Sequence, residues 1–347
     1  MTIAVVAAAA GRAFDALVTA CREIAVTELW SPLATPAWLA YAPGAIGRYA
    51  RRRHVPHDVR APYLLAMDAG LRAWAQGRTD RRYQSDFALR AAIDAWAAHE
   101  IRRRRPRIVI APSLAARRSF AAARAIGAAT VLAIDVPLLR ALHRDLDRAA
   151  AVWPEHGFLR RFRAPSWAIA RQEAERVMAD LVLVRGAYAH ASCLADGVPA
   201  ARLAMLPSPP SRAWPAPIAA TGRIRLAGLA AARHGVDTAL AVARTLGRTL
   251  VVRVGEGTEP ADLAHRAGVA IDDHPVDAIV CPAVCETYAD EVRATGIPVI
   301  ASPMASLDGR GPDPYDARAF AEAVERARPA LPGPPRQPIA AQLAALL

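Results

Sequence analysis

Apolar segments that do not alternate with polar residues are the feature of this sequence that most constrains its fold. Two of them, RIVIAP at 107–112 and ATVLAI at 129–134, are separated by a stretch with helical periodicity at 115–126. A strand with one solvated face alternates apolar and polar residues, whereas a strand covered on both faces does not. This order of strand, helix and strand therefore predicts a parallel sheet with helices on both faces.

The same pattern covers most of the first half of the chain, and a proline-rich segment then interrupts it. Further elements of the first half are predicted as strands at 2–10 and 180–186 and helices at 14–24, 87–103 and 166–179. Residues 30–65 are rich in Pro, Trp and Arg and match neither pattern. The segment LPSPPSRAWPAP at 206–217 has five prolines in twelve residues, which disfavours helices and central strands and predicts a linker.

Beyond the linker the alternation starts again. The predicted elements are strands at 223–228, 249–257, 277–283 and 299–301 and helices at 235–247, 288–295 and 316–328. The fold class that follows is α/β, with two Rossmann-like domains that face each other across a cleft. The predicted domains span residues 1–208 and 218–330, and a proline-rich C-terminal tail covers 331–347.

The net charge of +12 has two explanations. The chain contains no Lys, so all 44 basic side chains are Arg, and Ala and Pro are abundant as well. Codon bias toward G and C explains that composition without selection for function. The alternative is an anionic surface, since Arg runs at 51–53, 102–105, 117–118 and 160–163 give the first half a basic face for lipid headgroups. No nucleic-acid-binding motif accompanies the charge, so nucleic acid is not a predicted partner.

Cysteines and targeting signals give little indication of a metal, a disulfide framework or secretion. The four cysteines are Cys21, Cys193, Cys281 and Cys285. They are too scattered for a disulfide framework, and Cys281, Cys285 and the nearby His274 lack the spacing of a zinc site. The apolar N-terminal stretch has no basic residue before Arg12, which favours a buried strand over a signal peptide. The sequence thus predicts no metal site and a cytoplasmic protein, with peripheral contact at the inner face of the membrane.

Four segments of the second half carry a resemblance to a known family. They are LAGLAAARHGVDTALAVA (226–243), VVRVGEGTEPADL (251–263), IVCPAVCETYADEVRATGIPVIAS (279–302) and DGRGPDPYDARAFAEAVERA (308–327). In this order they resemble the retaining glycosyltransferases of family 4, which use nucleotide sugars and have the two-domain GT-B fold. Two segments of the first half, 105–135 and 174–207, are similar to the same family to a lesser degree.

The resemblance implies a retaining, nucleotide-sugar-dependent glycosyltransferase of the hexosyltransferase type. Its second domain would bind the nucleotide sugar, which is a substrate, so no separate cofactor is expected. Its first domain would face the acceptor, a glycan or a lipid-linked molecule, in bacterial surface-glycan synthesis. The alternative is a catalytically silent GT-B protein that binds a nucleotide sugar or regulates a partner enzyme.

Two glutamates near the segment EVRATGIPVIAS (291–302) are the central site residues that the resemblance implies. A carboxylate accepts hydrogen bonds from both hydroxyls of a vicinal diol, and a neighbouring helix N-terminus offers N–H groups to a diphosphate. By resemblance, Glu291 holds the nucleotide ribose and Glu286 holds hydroxyls of the donor sugar; the alternative is that both are solvated residues at a helix start. Gly11 and Arg12 equally suit a tight strand–helix turn. The other donor-binding residues implied are Gly228, His234, Gly255, Gly257, Thr287, Tyr288, Gly11 and Arg12.

The sequence departs from the family pattern where the diphosphate would bind. The interval between Glu286 and Glu291 is shorter than usual, and Leu229 and His234 stand where the family has Arg and Lys. A cation aimed at a leaving diphosphate commonly contributes about 3 kcal/mol of transition-state stabilisation. Arg233, next to His234, is placed to supply that cation. The predicted catalytic residues are therefore Glu286 and Arg233.

Overall fold

The computed structural model contains two parallel β-sheets that follow one another along the chain. It describes residues 2–6, 12–31, 61–75, 79–134, 137–156, 159, 163–205, 221–229, 232–253, 269–270, 275–284, 297–305, 309–327 and 339–346. Strands and helices alternate in both sheets, which confirms the predicted α/β fold class.

The first sheet has strand order β2-β1-β3-β4-β5-β6, with every neighbouring pair parallel. Its strands are β1 (Thr2–Val6), β2 (Val26–Trp30), β3 (Ile108–Pro112), β4 (Ala129–Ile134), β5 (Leu181–Val184) and β6 (Leu203–Met205). All residues of β3 and β5 are buried. Their uninterrupted apolar runs are explained by this burial, because helices cover the sheet on both faces.

Seven described helices surround the first sheet. They are α1 (Arg12–Arg22), α2 (Pro62–Trp74), α3 (Thr79–Arg104), α4 (Arg117–Ala125), α5 (Leu139–Val152), α6 (Ser166–Met178) and α7 (Ala187–Ala195). One apolar cluster joins one face of the sheet to α3 and α4 through Ile93 and Phe120, which are fully buried. A second cluster joins the opposite face to α1 through Leu17 and Cys21.

The second sheet has strand order β11-β10-β7-β8-β9, again with parallel pairs. Its strands are β7 (Arg223–Leu229), β8 (Thr249–Arg253), β9 (Val269–Ala270), β10 (Ala278–Cys281) and β11 (Val299–Ala301). Helices α8 (Val236–Thr245) and α9 (Ala317–Arg326) pack on one face through Leu240 and Phe320.

A short helix, α10 (Ile339–Ala344), lies within the segment predicted as the C-terminal tail. It contacts α1 and β6 of the first half of the chain. Its Leu343 is fully buried in a cluster with Ile3 and Leu17. The chain therefore returns to the first sheet after completing the second, while the domain boundaries at 208 and 218 stay a prediction.

Several elements lie in segments for which no helix or strand was predicted. Helix α2 occupies part of the stretch that matched neither pattern, and β2, α5, α7 and β6 were not predicted either. Helix α3 begins at Thr79, ahead of the predicted start at 87. Its first turns, TDRRYQSD, have no apolar periodicity, so the helix there is not signalled by the sequence pattern.

The carboxyl ends of the two sheets face each other. Val284 follows β10, and the other buried members of its apolar cluster all come from Phe87–Ala168 of the first half, Leu114 after β3 among them. His156 Nε2 lies 2.8 Å from Asp237 Oδ2 of α8, and the rings of Trp153 and Tyr315 have centroids 5.1 Å apart. The strand order reverses between β1 and β3 and between β7 and β10, and ligands bind at such points in open α/β sheets.

Candidate functional site

At the carboxyl edge of the second sheet, the β7–α8 turn packs closely against the segment after β10. Gly235 has φ +76°, and a Cβ atom there would overlap the backbone carbonyl of Pro282. The N–H of Val284 donates to the carbonyl oxygen of Arg233 at 3.1 Å. Only glycine fits at position 235, because both its backbone conformation and the approach of Pro282 exclude a side chain.

Gly228, at the end of β7, makes room for the side chain of His234. Its φ is +87°, and a Cβ atom would lie 3.1 Å from His234 Nδ1. His234 itself is fully buried. The imidazole therefore packs beneath the turn, whereas the side chain of Arg233 is only partly buried.

The segment after β10 is held from the side of β11 as well. Ser302 donates its backbone N–H to Cys281 O at 2.9 Å and its hydroxyl to Ala283 O at 2.6 Å. Ser302 is fully buried. Residues 281–284, which lead toward Glu286, are thus held by hydrogen bonds on both sides. Sequence reasoning missed Ser302, whose only signal was a hydroxyl residue directly after an apolar strand.

The structure brings three predicted site residues together: Gly228 in β7 lies against His234, and Arg233 and His234 lie in the following turn beside the end of β10. Arg12 is the first residue of α1, after β1 of the first sheet. The remaining predicted site residues lie outside the described part of the chain, and their roles stay predictions. They are Glu286, Glu291, Gly255, Gly257, Thr287, Tyr288 and Gly11.

The first domain supports this segment through Val284. Val284 is fully buried, and the cluster around it is formed by Leu114, Leu142, Leu146 and other residues of the first half. Its backbone belongs to the second domain while its side chain lies in the first. The position of the segment that leads to Glu286 therefore depends on contact between the two domains.

The carboxyl edge of the first sheet is organised by a buried glutamate. Glu175 of α6 accepts hydrogen bonds from the N–H groups of Leu114 at 2.6 Å, Ala116 at 2.9 Å and Arg117 at 3.1 Å. Burial raises the pKa of this carboxyl group, although the hydrogen bonds from the backbone oppose the effect. Leu114 has a positive φ of 70°, a conformation that an L-residue adopts only when its surroundings enforce it.

A second carboxylate occupies the N-terminus of α4. Asp94 of α3 accepts from the N–H groups of Arg118 at 2.7 Å and Ser119 at 2.8 Å, and the Arg171 guanidinium bonds both Asp94 and Glu175. The first turn of α4 would otherwise offer these N–H groups to an anion. In this protein they are already bonded to its own side chains, so that helix start is structural.

The described part of the chain contains neither a cluster of metal ligands nor an ionised thiol at Cys21 or Cys193. Among those residues, no group of three or more His, Cys, Asp or Glu side chains is placed to hold a metal ion. Burial raises the pKa of Cys21 to about 12 and that of Cys193 to about 11, so both thiols stay protonated near neutral pH. Within the same residues, no helix is both long and apolar enough to cross a membrane.

Comparison with known proteins adds structural relatives. No protein-family model matches the sequence, and no curated protein matches it. Among solved structures, sucrose-phosphate synthase from Thermosynechococcus elongatus is similar with a TM-score of 0.57 and 14% identity, covering 94% of this chain and 89% of that one. Anabaena Alr3699/HepE in complex with UDP has a TM-score of 0.54 and 12% identity, covering 94% and 89%. A glycosyltransferase from Rickettsia africae ESF-5 has a TM-score of 0.52 and 11% identity, covering 94% and 87%.

These relatives share the two-domain architecture over nearly the full length of this chain. The protein therefore has the GT-B fold, with two Rossmann-like domains facing each other across a cleft, as the sequence predicted. At such low identity the similarity establishes the fold and leaves the activity to be argued from the site.

Proposed function

We propose that this protein is a retaining glycosyltransferase of the hexosyltransferase type that transfers a sugar from a nucleotide-sugar donor to a glycan or lipid-linked acceptor. The observation that carries the proposal is the junction at the switch point of the second sheet. There the turn with Gly228, Arg233 and Gly235 packs directly on Pro282, at the start of the segment that leads to Glu286. The resemblance to glycosyltransferase family 4 and the UDP bound to Anabaena HepE support a nucleotide-sugar ligand.

In the proposed mechanism, different residues bind different parts of the nucleotide-sugar donor. Glu291 accepts hydrogen bonds from the ribose hydroxyls, and Glu286 accepts them from the donor sugar. Arg233 neutralises the charge that develops on the leaving diphosphate, a contribution of about 3 kcal/mol for one well-placed cation. His234, being buried, acts by filling the space beneath Gly228 and shaping the turn. Retaining transfer then depends mainly on orienting the donor and acceptor and on stabilising the leaving group.

The acceptor side falls to the first domain. We assign its carboxyl edge, across the cleft from Arg233, to a glycan or lipid-linked acceptor of bacterial surface-glycan synthesis. The enzyme would work on the cytoplasmic side and touch the inner face of the membrane peripherally. An anionic lipid surface is the partner that the excess of Arg over acidic residues favours.

A catalytically silent nucleotide-sugar-binding protein is the second candidate. One observation favours it: Leu229 and a fully buried His234 occupy the two positions where family 4 has its Arg and Lys. In this case Arg233 would still hold the diphosphate, while transfer would be absent. Hydrolysis or transfer of a radiolabelled nucleotide sugar distinguishes the two candidates.

Calorimetric titration with UDP, GDP and their sugars tests the donor site. We expect Arg233→Gln to bind the nucleoside diphosphate tenfold to a hundredfold more weakly, since a hydrogen bond to a charged group contributes about 1.5–3 kcal/mol. The matched control is Arg244→Gln, an exposed residue in the last turn of α8, which should bind as the wild type does. Equal affinities for both variants would contradict the proposed role of Arg233.

The two glutamates give a second, independent readout. Glu291→Gln should weaken binding of the bare nucleotide and of the nucleotide sugar alike, whereas Glu286→Gln should weaken only the sugar-bearing donor. Unchanged affinities of both variants for both ligands would place these carboxylates outside the site. The melting temperature, measured alongside, shows whether either variant acts through stability instead.

A further inference from the structure

Helix α2 turns an apolar face outward. Tyr63, Met67 and Trp74 are 61%, 36% and 48% exposed, and at 3.6 residues per turn they lie within about 40° of one another around the helix axis. Ala66 and Gly70, also exposed, lie beside them on the same face. We call Tyr63, Met67 and Trp74 the α2 stripe. A surface helix usually presents polar and charged residues on its exposed face, whereas this face of α2 is apolar.

The charged residues of α2 lie away from the stripe. Asp68 is buried, and the Arg72 Nε donates to its two carboxylate oxygens at 3.1 and 3.0 Å. Leu64, also buried, anchors the helix in the core of the first domain. The orientation of α2 is therefore fixed by its inner face, and the outward position of the stripe follows from it.

The sequence on both sides of α2 is strongly basic. Residues 48–60, just before the helix, contain five arginines against one aspartate, and residues 76–82, just after it, contain three against one. An apolar helix face with aromatic residues, flanked by arginines, has the composition of a helix that lies in the interface of an anionic bilayer. Tyr and Trp suit this position because each has an apolar ring and a polar atom for the headgroup region.

We propose that the α2 stripe is a membrane-docking surface, which inserts Tyr63, Met67 and Trp74 between the headgroups of an anionic bilayer. The inference deepens the peripheral membrane contact of the proposed function by naming the surface. A second copy of the chain fits less well as the partner. A stable dimer buries about 800 Å² per partner, and the exposed face of one helix about 20 Å long, with three large side chains, provides less area than that.

The position of α2 in the first domain would place the cleft close to a bilayer on which the helix docks. Helices α2 and α3 are joined through residues 75–78 and contact each other, as antiparallel neighbours do. The first part of α3 reaches Phe87, which belongs to the cluster between the domains. Trp74 therefore lies toward the carboxyl edge of the first sheet, and docking would bring the cleft next to the bilayer that holds a lipid-linked acceptor.

The test is co-sedimentation of the full chain with vesicles of phosphatidylcholine, with and without phosphatidylglycerol. The triple variant Tyr63→Ser/Met67→Ser/Trp74→Ser removes the stripe. The matched control Val26→Ser/Val177→Ser/Leu194→Ser removes three exposed apolar side chains elsewhere, which are 68%, 72% and 42% exposed. We expect the wild type and the control to bind the anionic vesicles, less so as salt is raised, and the stripe variant to bind at least about tenfold more weakly.

Three results would overturn the proposal. The first is binding of the stripe variant to anionic vesicles with wild-type affinity, and the second is no vesicle binding by the wild type at all. The third is a dimer in sedimentation velocity that dissociates in the stripe variant, which would assign the stripe to a second copy. Should the triple variant melt at a lower temperature, Trp74→Ser alone replaces it. Vesicle binding requires no nucleotide sugar, so a negative result here leaves the donor-site proposal to its own titrations.

Discussion

The helices that follow the central strands of the two sheets begin in opposite ways. In the first domain, the N-terminus of α4 is covered by the buried carboxylates of Glu175 and Asp94. In the second, α8 begins at Gly235, which offers no side-chain cap and packs against the backbone of Pro282. Within one fold, backbone N–H groups of the first edge are bonded to carboxylates of the protein itself. At the second edge, the carboxylate of Asp237 in the first turn of α8 lies 2.8 Å from His156 Nε2 instead, and the turn before the helix carries Arg233. The first edge is therefore structural, and we propose the second as the diphosphate site.

Removing the carboxylate of Glu175 should give the largest effect and tests the structural half of this comparison. Glu175→Ala leaves three backbone N–H groups and the Nε–H of Arg171 without their acceptor, while Arg171 keeps its bond to Asp94. Breaking a buried charge network typically costs about 3–5 kcal/mol, so urea unfolding should shift to much lower concentration. The control Glu173→Ala lies on the same helix but pairs with an exposed Arg140, and should change stability little. Equal midpoints for the two variants would refute the structural role.

Gly235 tests the other half of the comparison. Both Gly235→Ala and the control Gly247→Ala place a Cβ atom at a positive φ, of 76° and 62°, which costs about 1–2 kcal/mol. Only at Gly235 does the new atom meet Pro282, and forced overpacking adds about 1–3 kcal/mol. Gly235→Ala should therefore unfold earlier and bind UDP more weakly than Gly247→Ala. Identical UDP affinities in the two variants would show that this turn is not part of the donor site.

The smallest effect concerns a feature that the two domains share. Asp277 precedes β10 and accepts from the N–H groups of Thr221 at 2.6 Å and Gly222 at 2.9 Å. Asp180 precedes β5 and accepts from the N–H of Thr130 at 2.7 Å. Each carboxylate thus ties the start of its own strand to a segment at the amino end of a neighbouring strand.

Acid titration measures the contribution of Asp277. Burial acts to raise the pKa of Asp277, but the hydrogen bonds from Thr221 and Gly222 outweigh it and hold the pKa below the ordinary 3.8. Because the folded pKa is depressed, the stabilisation is present above that ordinary value and is lost as the pH falls through the folded value. Asp277→Asn should lower stability at pH 7 by about 0.5–1.5 kcal/mol and flatten the acid side of the profile. A melting temperature that falls with acid as steeply as in the wild type would exclude this contribution.

The fold was accessible from the sequence because buried parallel strands leave an unbroken apolar signal. Segments such as 129–134 were predicted with their observed bounds. Helix α2 was not, since its outward face is apolar and its surroundings are rich in Pro and Arg, so no amphipathic period marks it.

The site was predicted less completely than the fold, and distance along the chain explains why. The bond from Leu114 to Glu175 spans 61 positions and that from Ser119 to Asp94 spans 25, so no local pattern reveals them. The family resemblance identified Gly228, but not that this glycine accommodates the His234 ring. The contact between Gly235 and Pro282 was not predicted either. Spacing indicates which backbone positions matter, whereas the contacts depend on how distant strands are brought together.

The predicted basic face also changes once the chain is folded. The Arg run at 102–105 ends α3 just before β3, while the run at 117–118 begins α4 just after it. The two runs therefore lie at opposite ends of β3 and do not form one surface. Arg103 and Arg104 also bond Glu100.

The return of α10 to the first domain has a consequence for how the protein is made. Leu343 is fully buried beside Ile3 and Leu17, yet the ribosome adds it only after the whole second sheet has been synthesised. Until then the nascent first domain has an unfilled apolar space where this side chain belongs, and an unfilled leucine site typically costs about 2–5 kcal/mol. The domain that begins to fold first is thus completed last, and a chain stalled before position 343 should leave it open to proteases.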